Sequence, residues 1–295
     1  MIVKFIHIVL CLSFFSSISL QAQVTEIIED VKNTTSNVVE EIEDFVEDYQ
    51  FKRKIPKKYD NRLEAYYTYD YLDPDNLYDA WKSETIGYYR TVNKEFNYHL
   101  IGTLHQRYDN GFLFEAGFTR IWHRKIFSDA AFSMGSDVDY LQMLRFDFNT
   151  YYKFLQHENL IASLGIAWIN YHDVHEDTIL RAGLAYYYKR WIIEYVYFQN
   201  RSNPGKVDTS TNQVSVGYGQ EFKHWTYFIY SRGKQGYLAT YLDIPQEVNS
   251  KSYEITLKHR HWFGKNYGPF LHIIYTNLDQ VYEKYNLSLG LFWQF

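Results

Sequence analysis

From Asn61 to Phe295, apolar side chains alternate with polar or small ones in one short segment after another. A period of two places successive side chains on opposite faces, so each such segment reads as a strand with two unlike faces. The last segment shows the pattern most cleanly. Tyr285, Leu287, Leu289, Leu291, Trp293 and Phe295 fall on one face; Lys284, Asn286, Ser288, Gly290, Phe292 and Gln294 fall on the other. The same alternation sets Val214, Val216 and Tyr218 against Gln213, Ser215, Gly217 and Gly219, and Leu144, Phe146 and Phe148 against Arg145, Asp147 and Asn149. It recurs where Tyr253, Ile255 and Leu257 face away from Glu254, Thr256, Lys258 and Arg260.

About fourteen segments of this kind lie near 62–72, 83–92, 96–107, 111–122, 126–134, 139–152, 159–170, 177–189, 191–200, 211–221, 224–232, 252–263, 268–277 and 284–295. Most run to about 9–14 residues, where strands of soluble sheets average about 5–6. A tilted strand that crosses a bilayer needs about 9–11. Short connections at 93–95, 123–125, 156–158 and 189–190 contrast with longer polar ones expected at 73–82, 201–210 and 233–251. Tight turns on one side and longer loops on the other suit an up-and-down transmembrane barrel. The expected fold is therefore all-β: an antiparallel transmembrane β-barrel over 59–295 with about fourteen strands, or twelve, preceded by a short periplasmic helix. An even count puts both chain ends on the periplasmic side.

Composition fixes which face is which. The chain is 20% aromatic, with 30 Tyr, 21 Phe and 7 Trp, yet its mean hydropathy is −0.41. Beyond residue 20 no run approaches the roughly 18 apolar residues of a spanning helix. Strands that put one residue into lipid and the next into water resolve the contrast. Tyr and Trp suit bilayer interfaces because one end is apolar and one wet. A soluble sandwich or lipocalin-like barrel is the alternative, but it would turn its charged face outward. The candidate lumen-lining charges are Arg62, Glu64, Asp70, Glu115, Asp129, Arg145, Asp147, Arg181, Glu194, Glu254, Lys258 and Arg260. A charge inside a barrel must be hydrated or paired, so these should form a network. That network either stiffens the wall or lines a solute path.

The first 60 residues differ in kind. Residues 1–22 read as a secretory signal peptide, with Lys4 before the apolar run Phe5 to Leu20 and a small residue at Ala22. Cys11 is the one cysteine and lies within it, so neither a disulfide nor a cysteine metal site is expected. Residues 23–58 read as an acidic amphipathic helix and a basic linker. Ile28, Val31, Thr35, Val38, Ile42, Phe45 and Tyr49 recur at helical spacing among many acids. Phe51 to Lys58 reverses the charge, and Pro56 stops the helix. Residues 24–50 could serve as a solvated leader, a handle for a periplasmic partner or for self-association, or a pore plug.

The terminal strand carries a second signal. Tyr285, Leu287, Leu289, Leu291, Trp293 and Phe295 resemble the C-terminal assembly signal of Gram-negative outer-membrane barrels, which their assembly machinery reads. A wider resemblance runs from Trp81 to the end. The stretches AWKSETIGYYR (80–90), INYHDVHEDTILRAGLAYYYKRWIIEYVYFQN (169–200), TNQVSVGYGQEF (211–222), YFIYSRGKQGYLAT (227–240) and YNLSLGLFWQF (285–295) look like the YaiO family of outer-membrane barrels. That resemblance implies an outer-membrane location and little about activity; the expected partners there are outer-membrane lipid and lipopolysaccharide, and the even strand count is what would make the N-terminal segment periplasmic. Some family members carry helical repeats before the barrel, where this chain has a short acidic segment.

Catalytic chemistry finds little support. There is no Gly-x-Ser-x-Gly elbow, phosphate loop or dinucleotide fingerprint. His172 and His175, with Asp173, Glu176 and Asp177, could offer two metal ligands but lack a third. His99 and His105 on one strand, and His259 and His261 on another, read as structural. The formal charge of −5 disfavours nucleic acid. No cofactor, metal or catalytic residue is expected. The leading expectation is a porin-like pore or conduit for a small solute or surface polysaccharide; the alternatives are a structural or partner-binding barrel and, less favoured, a lipid hydrolase or acyltransferase.

Overall fold

The computed structural model describes residues 60–74, 79–155, 158–239, 246–279 and 281–295, with backbone alone at 235–239 and 246–250. The signal peptide, the acidic helix and the basic linker expected before the barrel lie outside the described residues. Fourteen strands follow one another: β1 (Asn61–Asp73), β2 (Trp81–Thr91), β3 (Phe96–Gln106), β4 (Asn110–His123), β5 (Ile126–Gly135), β6 (Gln142–Phe154) and β7 (Leu160–Tyr171). The second half comprises β8 (Glu176–Tyr188), β9 (Trp191–Asn203), β10 (Val207–Gln220), β11 (His224–Ala239), β12 (Gln246–His261), β13 (Tyr267–Leu278) and β14 (Tyr282–Gln294). They range from 10 to 16 residues. Each pairs antiparallel with its sequence neighbours, and β1 pairs with β14 to close the barrel.

The closing seam keeps a steady register from Arg62 opposite Gln294 to Asp73 opposite Glu283. Its end is tied by Asn61 N–H to Phe295 O at 3.0 Å and Phe295 N–H to Asn61 O at 2.9 Å. Closure leaves no strand edge unpaired, which a bilayer demands because nothing in hydrocarbon can hydrogen-bond an open edge. Tight turns use local side-chain chemistry. Asn93 Oδ1 accepts the Glu95 and Phe96 amides at 2.9 and 2.8 Å, which reverses the chain between β2 and β3.

The two faces of the sheet differ as the alternation requires. Leu257, Ile273, Leu287 and Leu289 are exposed on the outer wall, forming an apolar band. Aromatic rings flank it at both rims. On the side of the chain ends, Trp191 packs on Tyr218 with centroids 4.6 Å apart, and Trp293 stacks on Phe295 at 4.5 Å. On the other side, Tyr253, Tyr275 and Tyr285 form a row across β12, β13 and β14, at 5.7 and 5.1 Å. Inside, buried hydroxyls bridge neighbouring strands: Thr68 with Ser288 at 2.9 Å, and Thr85 with Thr103 at 3.0 Å. Each pair satisfies two polar groups that would otherwise be desolvated without a partner.

Two of the expected long loops are strand instead. β9 and β10 continue to Asn203 and from Val207, leaving only 204–206 as the turn. β11 runs to Ala239 and β12 starts again at Gln246. The polar composition there reflects strand beyond the apolar band, where water contacts both faces and alternation loses its physical cause. Both hairpins project from the rim opposite the chain ends.

Candidate lumenal site

Strand register assigns the inner face without ambiguity. The twelve charges singled out from the sequence, Arg62, Glu64, Asp70, Glu115, Asp129, Arg145, Asp147, Arg181, Glu194, Glu254, Lys258 and Arg260, oppose the exposed apolar set and share parity with the buried hydroxyls other than Ser128, which lies on the outward face of β5. Contacts between non-adjacent strands show that this face looks into the barrel. Arg260 on β12 reaches Glu64 on β1, and Arg181 on β8 reaches Asn149 and Tyr151 on β6 at 3.2 and 3.3 Å.

The charges fall into separate groups. On the wall from β12 to β1, one oxygen of the buried Glu64 carboxylate accepts a hydrogen bond from Arg260 Nη2 and lies 2.8 Å from Arg62 Nε as an ion pair. Around it, the Arg62 guanidinium lies 4.2 Å from the Tyr89 ring centre, and that of Arg260 lies 4.8 Å from Phe292. Trp262 donates its indole N–H to Gln294 at 2.9 Å and meets Phe292 edge-on at 5.1 Å. On the wall from β5 to β9, Arg181 pairs with Glu194 at 3.1 Å while Asn149 donates to Asp129 at 2.8 Å. Arg145 and Asp147 on β6 form a two-pronged pair at 2.6 and 2.8 Å. Glu254 accepts Thr256 and Thr276, each at 3.2 Å, and Asp70 accepts Asn286 at 2.7 Å. Glu115 meets His99 Nε2 at 3.1 Å. Lys258 has no ion pair among the described residues.

Several inner residues escaped the sequence reading. Trp225, Trp262, Tyr227, Phe270 and His272 all point inward, as Phe292 does on the polar face of β14, whereas the aromatic excess is expected on the outer wall. The signal that marks some of them is a glycine across the strand pair. A Cβ on Gly217 would lie 2.4 Å from the ring of its partner Tyr227, and one on Gly290 would lie 2.4 Å from Phe270. The rings therefore lie along the wall over bare backbone. At the far rim, Arg107 in the turn after β3 is sandwiched 3.9 Å from Trp81 and 4.4 Å from Tyr140. Burial draws its guanidinium down from the ordinary value, and Tyr140 and Asp70 oppose that shift.

The histidine-rich turn between β7 and β8 spends its groups locally. His175 Nδ1 meets Asp173 at 2.5 Å, and His172 Nδ1 meets Asp137 in the neighbouring turn at 3.2 Å. Among the described residues no three potential ligands are grouped to hold a metal. His259 and His261 lie outward beside His224, with rings 6.1 and 6.5 Å apart along the series.

Comparison with known proteins adds a family. The model of the YaiO membrane beta barrel domain matches residues 60–238. No curated protein matches the chain. Among solved structures, the translocator domain of the autotransporter NalP from Neisseria meningitidis is similar at 9% identity and a TM-score of 0.43, over 82% of this chain and 90% of that one. OmpF of Salmonella typhi, solved with daunomycin, aligns at 10% identity and 0.44, over 80% and 97%. An anion-selective porin from Comamonas acidovorans aligns at 10% and 0.44, over 80% and 98%. The fold assignment rests on the strand pairing itself.

Proposed function

The chain belongs to the YaiO family of membrane β-barrels, and from that premise we propose that it is a conduit in the bacterial outer membrane for a small solute or a surface saccharide. One observation carries the reading. Charges of both signs line the inside, while large inner rings such as Tyr227 and Phe270 rest against glycines on the wall. A barrel whose interior served only as a packed core would fill its axis with those rings, as eight-stranded barrels do; fourteen strands enclose a wider bore. The acid–base pairs on the wall keep inner charges hydrated or matched, at little net cost in stability.

Planar-bilayer recording tests the proposal. Folded protein should give discrete ion-conducting steps, and Arg145→Gln should shift the reversal potential toward cations because Asp147 is left uncompensated. Well-folded protein that never conducts would overturn it.

A further inference from the structure

The wall from β11 through β12, β13 and β14 to β1 borders an open pocket of about 300 Å³, close to the rim that holds the chain ends. Arg62, Lys258 and Arg260 line it together with Trp225, Tyr227 and Trp262. Glu64 shares one carboxylate between the two guanidiniums, which fixes both while cancelling a single positive charge. Lys258 adds an ammonium with no ion-pair partner among the described residues, beside its cross-strand neighbour His272. The pocket's other acid is Glu221, exposed in the turn between β10 and β11. Trp225 and Tyr227 present nearly parallel faces, 23° apart with centroids at 5.8 Å.

Each half of this arrangement selects a different part of a ligand. Guanidinium and ammonium groups bind carboxylate or phosphate through charge-assisted hydrogen bonds. Broad aromatic faces with polar edges suit a pyranose ring, which has an apolar face and a hydroxylated rim. An inorganic anion would leave the rings unused, and a neutral sugar would leave Lys258 uncompensated. We infer that the pocket is a lumenal binding site for carboxylated saccharides of the uronate class. The inference names a cargo class for the conduit and so rests on that reading, but binding itself needs no current.

Titration calorimetry on the detergent-folded full chain, with tetragalacturonate as the probe, therefore tests the site apart from conduction. Tetragalacturonate should bind, and maltotetraose of equal length should bind at least about tenfold more weakly, the loss expected when one charged hydrogen bond goes unmade. Lys258→Gln should weaken tetragalacturonate by a similar factor, with the far-ultraviolet spectrum and heat-modifiable gel mobility unchanged. Trp225→Leu should weaken it while leaving citrate unaffected. Equal binding of the two oligosaccharides, or indifference to Lys258→Gln, overturns the proposal. Citrate binding as tightly as tetragalacturonate also overturns it, since the rings would then contribute nothing. A barrel that binds tetragalacturonate without conducting would defeat the conduit and leave the site standing.

Discussion

The hydrogen that Gly217 carries in place of a side chain decides where the Tyr227 ring can lie. With a Cβ there the ring would be met at 2.4 Å, so it must leave the wall and turn toward the axis. Gly217→Val should therefore cost about 1–3 kcal/mol, the range for overpacking a fitted site. It should also narrow the bore. The check is paired: a lower temperature for the loss of the compact gel band, and a smaller unit conductance. Unchanged values for both would mean that the ring has another place to go. At this scale the sequence was readable for charges and mute for rings. Parity along a strand assigns Arg260 or Glu254 to a face as soon as Leu257 is assigned to the other. Alternation puts Phe292 on the polar face of β14 without saying why a ring belongs there, and Trp262 looks like any other girdle aromatic, until the register brings both against Arg260. The shared use of Glu64 by Arg62 and Arg260 joins β1 to β12 across two intervening strands, a contact that no local pattern encodes.

At the scale of elements, β14 does two jobs that one substitution can separate. Its backbone closes the barrel against β1, while its outward side chains are proposed to be read during assembly. Phe295→Ala keeps the reciprocal amide–carbonyl pair with Asn61. It removes the ring stacked on Trp293. Refolding from urea into detergent micelles should therefore proceed with nearly the parental yield, whereas the amount of heat-modifiable barrel recovered from cell envelopes should fall several-fold. A comparable fall in both would assign Phe295 to barrel stability alone, and a fall in neither would remove it from assembly. Strand identity was legible because the bilayer imposes alternation on every crossing. The ends of β9 to β12 were not, because beyond the apolar band both faces meet water, and Arg201, Ser202, Asp208, Thr209 and Ser210 read as loop although they belong to the β9–β10 ladder.

For the whole molecule, the even strand number puts Asn61 and Phe295 at one rim and the projecting β9–β10 and β11–β12 hairpins at the other. Bacterial barrels keep short turns toward the periplasm and longer excursions outside. Two-residue reversals such as Lys189-Arg190 lie on the rim of the chain ends, so we propose that this rim faces the periplasm. The pocket lined by Arg62, Lys258 and Arg260 would then open near the periplasmic mouth, where an exported acidic saccharide would meet it first. A short epitope inserted at Gly205 should be stained on intact cells. One placed just before Tyr59 should be stained only after the outer membrane is permeabilised. The insertion at Gly205 interrupts a three-residue turn and no ladder pair, so the barrel should keep its compact gel mobility. The reverse staining pattern would invert the molecule, and the basic pocket would then stand as an entry site for solutes arriving from outside.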